Sequence, residues 1–207
     1  MVVTYNMTIQ AVFFDLGGVI LMEAARDFGI DARFSLMPGT VTRCLDVNSR
    51  WKEARVGLCS YEEWVDSVRE ALVEEAGGQA DEVLQEALKA EAPVNEAVMR
   101  LVSALSVRYR IGATSNTKTR DLERFIKRRF GPLFEVVVGS ADLGVAKPDP
   151  DIYLHAARRL SLRPKACVFI DDVEANANGA TAVGMNGILF ESTQQLVRDL
   201  DALRVQV

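Results

Sequence analysis

The stretch Ala11-Val12-Phe13-Phe14-Asp15-Leu16-Gly17-Gly18-Val19-Ile20 decides the fold. Its first part is apolar and β-prone, the pattern of a strand buried on both faces, as in a parallel sheet. Asp15 ends the run, and two glycines follow. A buried carboxylate needs a compensating charge or donors. In an open parallel sheet, ligands sit beyond the carboxyl ends of the strands, so Asp15 is placed where chemistry occurs. Gly17 and Gly18 allow backbone N–H groups to approach a ligand closely. Alone, the stretch reads equally well as a strand-ending turn with an Asp cap.

The rest of the 207-residue chain supplies the context. About 23–91 is rich in Ala, Glu, Arg and Leu at helical spacing. Pro38-Gly39 separates a short helical piece from a helix predicted over 41–56. Ser60-Tyr61-Glu62-Glu63 is a capping box that starts a helix running to about Glu75. Asp81 is positioned to cap a further helix over 82–91, and Pro93 suits the first turn of the next. From there strand, loop and helix alternate. Strands are expected at 109–114, 134–138, 166–170 and 187–190, and helices at 119–130, 149–160, 174–183 and 193–204. Such alternation predicts an α/β, Rossmann-like, doubly wound parallel sheet. The expected division is a core of 1–22 and 92–207 with 23–91 inserted as a helical cap above the sheet's carboxyl edge.

Composition narrows the function classes. A net charge of −5 argues against a nucleic-acid binder, and the arginines at 124–129 read as a solvated helix face. Cys44, Cys59 and Cys167 form no metal-type pair, which fits a reduced, cytoplasmic setting. No run reaches membrane-spanning length. His155 is the single histidine, which weakens any histidine-base mechanism. No heptad or broad apolar stripe is legible, so monomer and homodimer are both compatible.

Three later segments repeat the polar strand end. Ile111-Gly112-Ala113-Thr114-Ser115-Asn116 ends in a hydroxyl and an amide, suited either to an anion or to an N-cap. In Gly144-Val145-Ala146-Lys147-Pro148-Asp149-Pro150, the prolines fix where Lys147 points, toward a phosphate or toward solvent. Val168-Phe169-Ile170-Asp171-Asp172 ends in two adjacent acids whose repulsion a cation or donors must offset. Asn176, one helical turn on, can steady the pair. With Asp15 the acids form an all-oxygen ligand set suited to Mg²⁺ rather than zinc. Acid, hydroxyl, lysine and acid pair at one edge are all used at once by Mg²⁺ plus a phosphate-sized anion.

That ordered set resembles the haloacid dehalogenase superfamily over nearly the whole chain. The resemblance implies a C1-type cap and a phosphatase-like site with Asp15 as nucleophile. Ser115, Asn116, Lys147, Gly17 and Gly18 would hold the phosphoryl group. Asp15, the Gly17 carbonyl, Asp172 and, directly or through water, Asp171 would hold Mg²⁺. A small phosphorylated metabolite, such as a sugar phosphate, is the implied substrate, hydrolysed through an aspartyl phosphate. One departure stands out. Most phosphatases of the family carry a second Asp, the general acid, where this chain has Gly17. Either the leaving group is a good one, or another acid such as Glu23 serves, or the protein binds more than it turns over. Metal-free dehalogenases also lack that Asp, but a metal-free site would not tolerate the charge of Asp171-Asp172. Phosphonatases use a cap lysine; Lys52 and Lys89 are the candidates here, and Lys52 reads as a solvent residue. Trp51 and Trp64 are expected to pack within the cap, and Met22 and Phe28 to line its seam with the core.

Overall fold

The computed structural model describes residues 8–22, 29–48, 50–118 and 120–207. Glu23 and Phe28, two of the residues named above, lie outside the described residues. The described strands are β1 (Ala11–Phe14), β2 (Arg110–Ser115), β3 (Val136–Gly139), β4 (Cys167–Asp171) and β5 (Asn186–Leu189), in the sheet order β3-β2-β1-β4-β5. Every pairing between them is parallel. β1 is central, and the polypeptide that leaves it returns to the neighbouring β2 only after the inserted helices.

The two-residue period of a strand sorts the core into two layers. Val12, Phe14, Ile111, Val168 and Ile170 face one side. There they meet α6 (Glu96–Leu105), α7 (Leu122–Phe130) and α11 (Thr193–Ala202). Ala11, Phe13, Val136, Cys167 and Phe169 face the other, against α9 (Pro150–Arg159) and α10 (Glu174–Ala182). Both faces are covered, as the apolar strand sequences require.

A third apolar cluster is separate. Ile30, Val41, Trp64, Val68, Leu72 and Val83 pack together. They come from α1 (Ile30–Arg33), α2 (Thr40–Asp46), α4 (Tyr61–Ala76) and α5 (Ala80–Lys89). The short α3 (Trp51–Ala54) borders them, and α8 (Ser140–Leu143) belongs to the sheet layer. The Ser60 capping box forms as read, with Ser60 Oγ accepting from Glu63 N–H and Glu63 accepting from Ser60 N–H.

Several helix boundaries differ from the sequence reading. The expected 41–56 helix is two pieces, α2 and α3. Asn48 donates its side-chain amide to the carbonyls of Cys44 and Leu45 at 2.7 and 3.2 Å, which ends α2 there. α5 begins at Ala80 with Asp81 inside its first turn, where it pairs with Arg69 at 3.0 Å instead of capping. Pro93 stands outside α6, which Asn95 caps by accepting from Val98 N–H at 3.3 Å. Pro93 and Asn95 are engaged elsewhere: Met22 N–H donates to the Pro93 carbonyl and Asn95 N–H to the Ile20 carbonyl, both at 2.8 Å. The two connections between cluster and sheet thus run side by side, with Leu21 bridged to Val94 antiparallel. Among the described residues no helix is long and apolar enough to cross a membrane.

Cys167 lies at 0 % exposure in β4, and burial pushes its thiol up to about 11. Since the thiolate is the reactive form, native protein is expected to leave Cys167 unmodified by a thiol reagent at pH 8, with reaction only after unfolding. Rapid native modification of Cys167 would contradict the interior place of β4, between β1 and β5.

Candidate active site

Register brings the carboxylates together. Phe14 pairs with Ile170, so the next residues along, Asp15 and Asp171, emerge side by side. Asp15 N–H still donates to the Ile170 carbonyl at 2.8 Å. Oxygens of Asp15, Asp171 and Asp172 all lie within 4.8 Å of one another. Asp171 is fully buried and Asp15 is 7 % exposed.

One ammonium stands among them. Lys147, 1 % exposed, lies 2.9 Å from Asp15 Oδ1 and 2.5 Å from Asp171 Oδ2. The solvent-lysine reading of that loop is therefore excluded. Asn116 sets the loop by a two-way clamp. Lys147 N–H donates to Asn116 Oδ1 at 2.8 Å, and Asn116 Nδ2 donates to the Lys147 carbonyl at 3.0 Å. The Asn116 side chain thus fixes the loop that carries the lysine. Asp149 caps α9 by accepting from Asp151 N–H, with Pro150 in the first turn, as the sequence indicated.

Asp171 is held from both sides. Its Oδ1 accepts from Asn176 Nδ2 and from Val173 N–H, both at 2.9 Å, while Oδ2 takes Lys147. Asn176 is itself anchored by Tyr153, whose hydroxyl donates to its carbonyl at 2.8 Å. The Asn176 reading is met; the Tyr153 support had no signal in the sequence. Val173, not either acid, occupies the N-cap of α10. Ser115 likewise does not cap α7, whose cap position is Asp121.

Asp15 Oδ1 accepts from Lys147 and from Leu16 N–H, the latter at 2.6 Å. Among the described residues Oδ2 has no donor. Burial pushes the Asp15 carboxyl up to about 6; Lys147 opposes this and Asp171 adds to it. Asp15 and Asp171 share the Lys147 ammonium, and Asp172 brings a third carboxylate to the same point. Such an all-oxygen set fits a hard divalent cation such as Mg²⁺. Asp171 already takes three protein donors. Gly18 makes room for Asp172. At φ +75°, a Cβ on Gly18 would sit 2.0 Å from the Asp172 carboxylate.

A cleft of about 530 Å³ opens over these groups. Asp15, Gly17, Ser115 and Lys147 form its floor, and Asp172 lines it. Trp51, Arg55, Tyr61 and Trp64 from the inserted helices contribute to its walls. Trp51 and Trp64 thus both face the cleft, although Trp64 also packs in the helical cluster. Lys118, in the loop after β2, stands over both rings, 5.5 Å from Trp51 and 4.8 Å from Trp64. Arg129 also reaches the cleft and donates to the Ala92 carbonyl at 2.6 Å, so it is not part of a merely solvated face. Met22 lines the cleft as expected. Lys52 and Lys89 are exposed and His155 is half-buried, all outside the cleft lining.

A family description of haloacid dehalogenase-like hydrolases matches residues 9–184. The chain belongs to that family. A haloacid dehalogenase (HAD) family enzyme from Bacteroides thetaiotaomicron, solved with magnesium and inorganic phosphate, superposes with a TM-score of 0.68. It is 21% identical, over 91% of this chain and 98% of that one. Flavin mononucleotide hydrolase 1 of Arabidopsis thaliana is 41% identical over 31% of this chain, and glyceraldehyde 3-phosphate phosphatase of Methanopyrus kandleri is 32% identical over 45%. The chain spans 26% and 41% of those two relatives. In this HAD-family chain the acids, lysine and serine stand together at the carboxyl edge of the sheet.

The oxygen set gives a direct test. Mg²⁺ at a hundredfold excess over its Kd should stabilise the wild type by about 2.7 kcal/mol. Asp172→Asn should abolish most of that thermal shift without destabilising the metal-free protein. An unchanged Mg²⁺ shift in the variant would remove Asp172 from the ligand set.

Proposed function

We propose that this HAD-family hydrolase is a Mg²⁺-dependent phosphomonoesterase that acts on a small phosphorylated metabolite through Asp15. The observation that carries the reading is the state of the Asp15 carboxylate. One oxygen is pinned by Lys147 and Leu16 N–H, and the other has no donor among the described residues. Asp15 lines a cleft that has Ser115 and Lys147 in its floor. The names of the Arabidopsis and Methanopyrus relatives, a flavin mononucleotide hydrolase and a glyceraldehyde 3-phosphate phosphatase, support the same class.

In this reading Asp15 Oδ2 attacks phosphorus while the bond to the leaving oxygen breaks. The phosphoryl group passes to Asp15, and water later cleaves the acyl phosphate to regenerate the carboxylate. Lys147 and the Ser115 hydroxyl stabilise the equatorial oxygens as charge develops. Asp171, fixed by Asn176 and Val173 N–H, holds Lys147 in place. Asp15, Asp172 and the Gly17 carbonyl would hold Mg²⁺, which when bound neutralises the repulsion between carboxylate and phosphate.

Gly17 sets a limit on the leaving group. A general acid is typically worth about 10²–10⁴ in rate, and a glycine cannot supply one. The reading therefore favours leaving groups that depart without protonation, such as those of anomeric or acyl phosphates. Wild type should turn over p-nitrophenyl phosphate only with Mg²⁺, and Asp15→Asn should lose on the order of 10³-fold or more while folding normally. Retained activity in Asp15→Asn would overturn the assignment. Gly17→Asp should raise kcat/KM on alkyl phosphates more than on p-nitrophenyl phosphate; equal effects would show that protonation is not the limitation.

A further inference from the structure

We propose that Arg55 forms a second anion subsite, so that the preferred substrates carry a negative charge on the leaving group as well as on the phosphoryl group transferred. This rests on the phosphatase reading above and adds the chemical class of substrate. Arg55 follows Trp51 by four positions at the end of α3, so both project from one face into the cleft. It is half-buried. Its guanidinium makes no ion pair or hydrogen bond with any described residue.

The other cations of the cleft are accounted for. Lys147 is held between Asp15 and Asp171. Arg129 has the Ala92 carbonyl and Glu91, the latter at 3.5 Å. Lys118 stands over the two indole rings. Among the acids that line the cleft away from the floor, Glu91 faces Arg129, and Asp46 has an interaction of its own. Arg55 is thus a cation in a partly desolvated wall whose counter-charge the described protein does not provide. A planar guanidinium matches a carboxylate or phosphate by paired N–H donors. Lys147 and Ser115 serve the transferred phosphoryl group from the floor, whereas Arg55 reaches the cleft from the inserted helices. The anion it meets therefore belongs to the other end of the substrate.

The test compares phosphoglycerate with glycerol phosphate, which differ by a carboxylate, and a hexose bisphosphate with its monophosphate. Wild type should favour the charged member of at least one pair in kcat/KM, and the pair identifies carboxylate or phosphate. Arg55→Gln should reduce that preference about tenfold, Arg55→Lys less, and Lys52→Gln, on the exposed side of α3, not at all. Calorimetric titration of the same ligands into Asp15→Asn and Asp15→Asn/Arg55→Gln reads the preference without turnover. Absence of any preference in wild type, or a preference unchanged by Arg55→Gln, overturns the subsite. Lack of p-nitrophenyl phosphate turnover overturns only the phosphatase reading, because the titration still decides the role of Arg55.

Discussion

The structure depends on one buried ammonium among carboxylates. Lys147 lies at 1 % exposure between Asp15 and Asp171. Removing the partner of a buried charge costs about 3–5 kcal/mol, so the strand ends are tied together by charge as well as by register. The lysine is in turn held through its backbone by Asn116 and through Asp171 by Asn176. Four segments far apart in sequence are thereby fixed against one another. Asp172 brings a third carboxylate to the same strand ends, with oxygens of all three acids within 4.8 Å of one another. The arrangement that rigidifies the sheet edge therefore also gathers an all-oxygen set there.

The inserted helices complete the site without sharing its core. Their apolar cluster is their own, but they touch the sheet layer where it matters. Arg120 donates to the Gly57 carbonyl at 3.0 Å, and a Cβ on Gly57, at φ +68°, would lie 2.4 Å from the Ala141 carbonyl. Lys118 stands over Trp51 and Trp64. These contacts set the walls of the cleft close to the acid floor. The acids, lysine and serine of the cleft thus come from strand ends and the loops after them, and its aromatic wall comes from α3 and the start of α4.

Much of this was legible in the residues. Apolar runs ended by Asp15 and by Asp171-Asp172 located the central strands and their functional tips, because a buried acid has few structural uses. The Lys147 loop was legible because flanking prolines restrict it. The misses have a common cause. Asn48 ends α2, and the paired linkers at 20–22 and 93–95 displace Pro93 from α6; both are tertiary hydrogen bonds with no local signature. The clamp of Asn116 on the Lys147 backbone, 31 residues away, likewise had no local signature. Arg55 and Tyr153 gave no sign, since neither stands in a strand-end pattern.

The most direct test of the account is mass spectrometry of protein acid-quenched during turnover of p-nitrophenyl phosphate with Mg²⁺ present. The account predicts one phosphoryl addition, on the peptide that contains Asp15, and none when Mg²⁺ is replaced by a chelator. A phosphoryl group on another residue, or steady turnover with no covalent adduct at any quench time, would contradict it.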